Sequence, residues 1–262
     1  MTLTVLEIGA YALATALYLG YLLGFRTHAD KAGRLVLALG VLIHFGDIGA
    51  RCVHGLNPIS STPEAMSFIA FLIVAGYLAA TLRYRLTAAG AFAVPAALVV
   101  LVLARLAPAE VDTPRMGALG ITHILLATVG VAVFALAAVL ALLYLFQDRQ
   151  LKQRRFDRVM GIGTPLDTLD RLAVRCVSVG FPVFTIAIVT GAVWVARLGL
   201  LHTVGGLRPE HLIAVGAWAA FGILLVARMG AGWRGRRAAW LTLGGFGGVL
   251  ITVAAYFLRH AA

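Results

Sequence analysis

Apolar runs about 20 residues long, separated by short charged stretches, commit this chain to crossing a membrane repeatedly. At ~1.5 Å rise per residue, a helical run of that length spans a hydrocarbon core about 30 Å thick. The runs do not alternate apolar and polar residues, which removes the β-barrel solution. In lipid the remaining way to satisfy every backbone N–H and C=O is the α-helix. Composition agrees: of 262 residues, 61% are hydrophobic and 13% charged, against about 25% charged in a water-soluble domain. The expected fold is all-α, a polytopic bundle of about eight transmembrane helices in a single transmembrane domain, 1–262.

The spans are expected at roughly 3–24, 35–53, 65–82, 88–106, 120–146, 173–196, 211–229 and 238–258. Of the 22 Lys and Arg residues, 16 fall in the first, third, fifth and seventh loops. The positive-inside rule then makes those loops cytoplasmic and puts both termini on the outer, periplasmic side of a bacterial inner membrane. The net charge of +11 therefore reflects topology and gives no reason to expect a nucleic-acid partner. The first apolar run lacks a basic start and a small-residue cleavage site, so it is expected to stay in the bilayer. Cys52 and Cys176 are expected near opposite faces, which leaves neither a disulfide nor CxxC chemistry. Pro165, Asp167 and Asp170 read as a helix start leading into the sixth span. Pro182 should kink that span. Gly120, Gly130, Gly180 and Gly191 read as points of close helix packing.

Histidine carries the chemical information. On this topology His54, His123, His202, His211 and His260 lie at or near the outer face, and His28 is cytoplasmic. His44 lies inside the second span. A neutral imidazole ligates haem iron, and two of them from different helices can hold it from both sides. His54 and His260 are ordinary interfacial positions. His202 and His211 flank a short outer loop. His123 opens a long apolar span, where a lone polar residue needs a reason. His44 shares a helix face with Asp47 at i+3 and Arg51 at i+7. Ionisable groups in a span are functional candidates, although Asp47 and Arg51 also make a plain i,i+4 ion pair. Other chemistries find no foothold, since the chain has no HExxH, P-loop or nucleophile elbow.

Four segments resemble the cytochrome c assembly family, the CcsA/HemX/YpjD group of haem-handling membrane proteins. Pro58, Ser60, Glu64, Phe68, Ala70 and Phe71 follow the family's P-x-S-x-x-x-E-x-x-x-F-x-A-aromatic stretch. His123 opens a span that ends Leu143-Tyr144-Leu145-Phe146-Gln147 and continues to Leu151-Lys152, similar to the family's H…LYLLQ…LK helix. Gly180-Phe181-Pro182, Thr185 and Thr190-Gly191-Ala192-Val193-Trp194 resemble the GFP…T…TGAVW pattern. Gly232-Trp233-Arg234-Gly235-Arg236-Arg237 matches GWRGRR before the last span. The resemblance implies eight helices and a non-covalent b-type haem near the outer face, with His123 matching the outer haem-ligand histidine.

The chain departs from the synthase subunits of that family. Their tryptophan-rich WWD loop is replaced here by Gly205-Gly206-Leu207-Arg208-Pro209-Glu210-His211. This points to the HemX/YpjD-like branch. The expected function is haem handling in cytochrome c-type biogenesis or haem homeostasis, as a carrier or assembly factor rather than a catalyst. His123 is one expected ligand and His202 or His211 the other. His44, oriented by Asp47, is a second expected haem station. Expected partners are the lipid bilayer, a second assembly subunit or an apocytochrome. The alternative is a haem-free adaptor that regulates a haem-biosynthesis enzyme through the basic loop Arg149–Arg158. A small-ion or proton-coupled transporter is a third reading, on His44, Asp47 and Arg51.

Overall fold

The computed structural model describes residues 2–24, 29–58, 60–107, 117–154, 164–197 and 209–261. All regular structure among them is helical. The elements are α1 (Thr2–Leu22), α2 (Ala29–Val53), α3 (Thr62–Thr81), α4 (Thr87–Leu106), α5 (Ala118–Lys152), α6 (Leu166–Arg197), α7 (Pro209–Gly230) and α8 (Arg236–Ala261). All eight are long and apolar enough to cross a membrane.

Every expected span is present, but three boundaries move well outward, the first being the start of α2 at Ala29 in place of 35. α5 continues to Lys152 and α6 begins at Leu166. Hydropathy marks where lipid ends, whereas a helix ends where its backbone bonds end. The polar tail of α5 keeps good helix formers, and Lys152 pairs with Asp148 one turn back at 2.8 Å. α6 starts directly after Pro165, as the sequence suggests, and runs through Pro182. α3 starts equally clearly: the Ser61 hydroxyl accepts the Glu64 amide N–H at 3.3 Å, and a proline sits in the first turn.

Neighbouring helices are antiparallel, as small residues and close contacts show. Gly40 of α2 lies against Ala10 and Tyr11 of α1, and Gly33 against Leu17 and Tyr18. Gly130 of α5 faces Phe184 of α6, and Gly180 of α6 faces Phe134. Gly245 and Gly248 of α8 meet Phe221 and Ala217 of α7. Without a hydrophobic drive between helices in lipid, close backbone approach through Gly and Ala holds such pairs together. Helices α1–α4 contact one another, as do α5–α8, and α5 touches both α3 and α4. The aromatic core of the second group is a stacked Phe134–Phe221 pair, 3.9 Å between ring centres, with Phe184 edge-on to Phe134.

At one end of the bundle the Gly232–Arg237 segment forms the turn between α7 and α8. Asp170 of α6 accepts the Gly235 amide at 2.8 Å with Oδ1 and the Arg228 guanidinium at 2.8 Å with Oδ2. Gly235 has φ +66°, and a Cβ there would stand 2.6 Å from the Tyr144 hydroxyl, so both backbone and space require glycine. Asp170→Ala leaves a mostly buried guanidinium and a turn amide without their acceptor. It is expected to lower stability by about 3–5 kcal/mol, read as a lower thermal midpoint of the detergent-solubilised protein. An unchanged midpoint would show that Arg228 finds another partner.

Candidate functional site

The antiparallel order brings the start of odd-numbered helices and the finish of even-numbered ones to the same end of the bundle. Two polar constellations form there, one in each helix group.

The first surrounds His44 of α2, which is fully buried. The Tyr11 hydroxyl of α1 lies 3.0 Å from His44 Nδ1, and the Ser67 hydroxyl of α3 lies 3.0 Å from Nε2. Phe71 of α3 meets the ring edge-on at 5.6 Å between centres. Both ring nitrogens are thus engaged, and the orientation expected from Asp47 is supplied instead by Tyr11 and Ser67. Asp47 serves a different group: its Oδ2 accepts from Arg51 Nε at 2.9 Å and from Arg105 Nη2 of α4 at 2.8 Å. Arg51 Nη1 donates to Glu64 Oε1 of α3 at 2.6 Å. Arg105 also reaches Glu7 Oε1 of α1 at 3.1 Å and lies 3.8 Å from Glu64 Oε1. One guanidinium therefore joins carboxylates from three helices, which its planar fork of donors allows and an ammonium would not.

Glu7 and Arg105 escape the sequence reading, although a signal for each exists. Glu7 is the one acidic residue in the apolar α1 segment. Arg105 is one of the few basic residues at the expected outer face, against the positive-inside trend. Each is a lone charge at the end of a span, and only folding brings them together across a separation of 98 positions.

The second constellation is built on His123 in the first turns of α5. Its Nδ1 lies 2.7 Å from the Ala187 carbonyl of α6. A carbonyl can only accept, so Nδ1 carries the proton and Nε2 keeps the lone pair. That carbonyl lies one turn before Gly191, and the imidazole sits directly over Gly191. A Cβ at Gly191 would approach His123 Cε1 to 2.7 Å and Nδ1 to 2.8 Å. Trp194, one turn of α6 further on, has its ring centre 6.2 Å from that of His123. His211, in the first turn of α7, is close enough to interact electrostatically with His123. The Thr185 hydroxyl of α6 accepts the Trp218 indole N–H of α7 at 2.9 Å, and Phe181 stacks on Trp218, so α6 and α7 are tied together beside the site.

The remaining sequence candidates are dispersed. His54 is exposed in the turn after α2. His202 and His28 lie outside the described residues, as do positions 155–163 of the basic loop and 205–208 of the replaced WWD segment. Cys52 and Cys176 are both free. Among the described residues no group of three or more His, Cys, Asp or Glu is arranged to hold a bare metal ion.

Comparison with known proteins bears on both constellations. The family model described as "Cytochrome C assembly protein" matches residues 60–260. The chain is similar to the cytochrome c biogenesis protein CcsA of Synechococcus elongatus, with 39% identity over 85 residues, 32% of this chain and 26% of that protein. It is similar to CcsA of Picosynechococcus sp., with 38% identity over 80 residues, 30% of this chain and 23% of that protein. A longer match, at 25% identity over 251 residues, covers 76% of this chain and 76% of CcsA from Gloeothece citriformis. In the first two of these, the matched stretch is only about a quarter of the relative's own length. No solved structure matches. Eight apolar helices and bacterial relatives of this kind make it a multi-pass protein of the bacterial inner membrane. With most of its length, from the start of α3 into the last helix, matched by a single family model, the chain belongs to the cytochrome c assembly protein family.

Proposed function

We propose that this protein handles haem during cytochrome c-type biogenesis, with His123 as one axial ligand of the iron and His211 as the other. The observation that carries this reading is the Nδ1–H···O=C bond from His123 to Ala187. Metal-binding histidines characteristically donate their second ring nitrogen in this way, which fixes the tautomer and aims the lone pair. The imidazole thus fits an iron ligand before any cofactor arrives. Trp194 beside it and the Phe181–Trp218 stack nearby give the apolar, aromatic surroundings that a porphyrin requires. His123 and His211 would hold haem through its iron, and ligation by two side chains would leave the iron closed to substrate, which suits carriage better than catalysis.

His44 and Asp47 take no part in this ligand set. His44 has both nitrogens hydrogen bonded inside a closed cage, and Asp47 is committed to two arginines. His202 is the other candidate partner, and it lies outside the described residues. The family relatives matched are named CcsA. Our placement of this chain nearer the HemX/YpjD-like branch rests on the missing tryptophans at 205–211. A second assembly subunit or an apocytochrome is the partner this function calls for.

The test is an absorption spectrum of the purified protein supplied with haem, oxidised and reduced, beside His123→Ala and His211→Ala. Sharp low-spin bands in the wild type, lost or broadened in His123→Ala, are expected. If His211→Ala leaves them intact while His202→Ala does not, the second ligand is reassigned. No haem bands at all would overturn the reading and favour a haem-free regulator acting through the basic loop after α5.

A further inference from the structure

The network around Arg105 does not balance. Ionised Glu7, Asp47 and Glu64 bring three negative charges, whereas Arg51 and Arg105 bring two positive ones. The groups facing this cluster are Glu7 and Tyr11 from α1, His44, Asp47 and Arg51 from α2, Glu64 and Ser67 from α3, and Arg105 from α4. Among the described residues nothing supplies the missing positive charge. A net charge buried at the end of a membrane bundle is costly, and such sites are held neutral by partners or by protons.

The distances show which carboxyl lacks donors. Asp47 Oδ2 accepts from both arginines, and Glu64 Oε1 accepts from Arg51 at 2.6 Å. Glu7 accepts from Arg105 on Oε1 alone. Its Oε2 is fully buried and has no hydrogen-bond partner. Facing it, 3.8 Å away, is His44 Nε2.

We propose that Glu7 and His44 form a proton-binding site within the membrane, with the proton carried on Glu7 Oε2 at neutral pH. A neutral Glu7 brings the cluster to zero net charge, and it removes the charge from a buried oxygen that no donor satisfies, leaving its O–H to face His44 Nε2 at 3.8 Å. His44 is the second seat for the same proton. With Nδ1–H donating to the Tyr11 hydroxyl, the single Nε2 lone pair accepts the Ser67 hydroxyl, which rotates to become an acceptor when Nε2 takes the proton from Glu7. Transfer of the proton from Oε2 to Nε2 leaves a carboxylate beside an imidazolium, so the net charge of the cluster is unchanged. The site takes up or releases a proton without moving a helix, and it is separate from the His123 constellation.

The full chain, reconstituted in lipid vesicles, tests this by infrared difference spectroscopy between neutral and alkaline pH. The wild type is expected to lose a protonated-carboxyl C=O band that Glu7→Gln lacks from the outset. Thermal midpoints give a second readout. Glu7→Gln replaces the neutral acid with a neutral amide of the same shape, so its midpoint should match the wild type. Glu64→Gln removes a charge that Arg51 needs, so its midpoint should fall. The proposal is overturned if the wild type shows no carboxyl band, if the band persists in Glu7→Gln, or if Glu7→Gln melts as low as Glu64→Gln or fails to fold.

Discussion

Arg105→Ala is expected to be the most damaging single substitution in the α1–α4 group, lowering stability by about 3–5 kcal/mol. The reason is the number of carboxylates that depend on one side chain. Arg105 is 9% exposed, Glu7 is fully buried, and Asp47 and Glu64 are nearly so. Removing the guanidinium takes from Glu7 the donor to its Oε1 and leaves Asp47 and Glu64 to Arg51 alone. The loss would act directly on the packing of α4 against α1 and of α2 against α3. Arg51→Ala should cost less, because Arg51 is 26% exposed and water can replace it. Arg105→Lys should fall between the two, since a single ammonium cannot fork across separate carboxylates. Thermal unfolding in detergent gives this order directly. Equal midpoints for Arg105→Ala and Arg51→Ala would show that the network is not centred on Arg105.

Gly191→Val is expected to weaken haem binding by about 10–100-fold while leaving His123 itself in the chain, the loss typical when a ligand's supporting hydrogen bond is removed. The first carbon of any side chain at 191 would meet the imidazole at 2.7–2.8 Å. Since α5 and α6 are closely packed, the ring has to swing rather than the backbone. Swinging breaks the bond from Nδ1 to the Ala187 carbonyl and releases the tautomer it fixes. Gly130→Ala is the matching control on the same helix pair. Its added carbon would meet Phe184 at 3.6 Å, an ordinary contact, so haem binding should not change. Titration with haem, followed by the low-spin bands, separates the two variants. A Gly191→Val protein with wild-type affinity would show that the Ala187 bond does not position the ligand.

How far these sites could be read in advance depended on whether their parts lie along one helix. His44, Asp47 and Arg51 stand at i, i+3 and i+7, so helical periodicity alone puts them on one face. His123 stood out as a polar residue opening an apolar span, and it does face another helix. Its supporting acceptor is a backbone carbonyl, which every residue possesses, and no sequence pattern marks Ala187 as the one that is used. The same holds for the GWRGRR turn. Its glycines advertise a tight bend, but the need for Gly235 comes from Tyr144 on another helix.

The sequence by itself determined the class of fold, the number of spans and their alternation, because the thickness of a bilayer and the need to satisfy backbone groups in lipid act on local composition. It did not determine where α5 ends, because polar residues outside the lipid continue a helix as readily as apolar ones within it. Nor did it determine which lone charges meet. Glu7 and Arg105 belong to different helices, and electrostatic partners are chosen by helix packing rather than by spacing along the chain. Tertiary structure decided that Arg105 joins three carboxylates, that His44 is enclosed on both ring nitrogens, and that His123 commits Nδ1 to the Ala187 carbonyl.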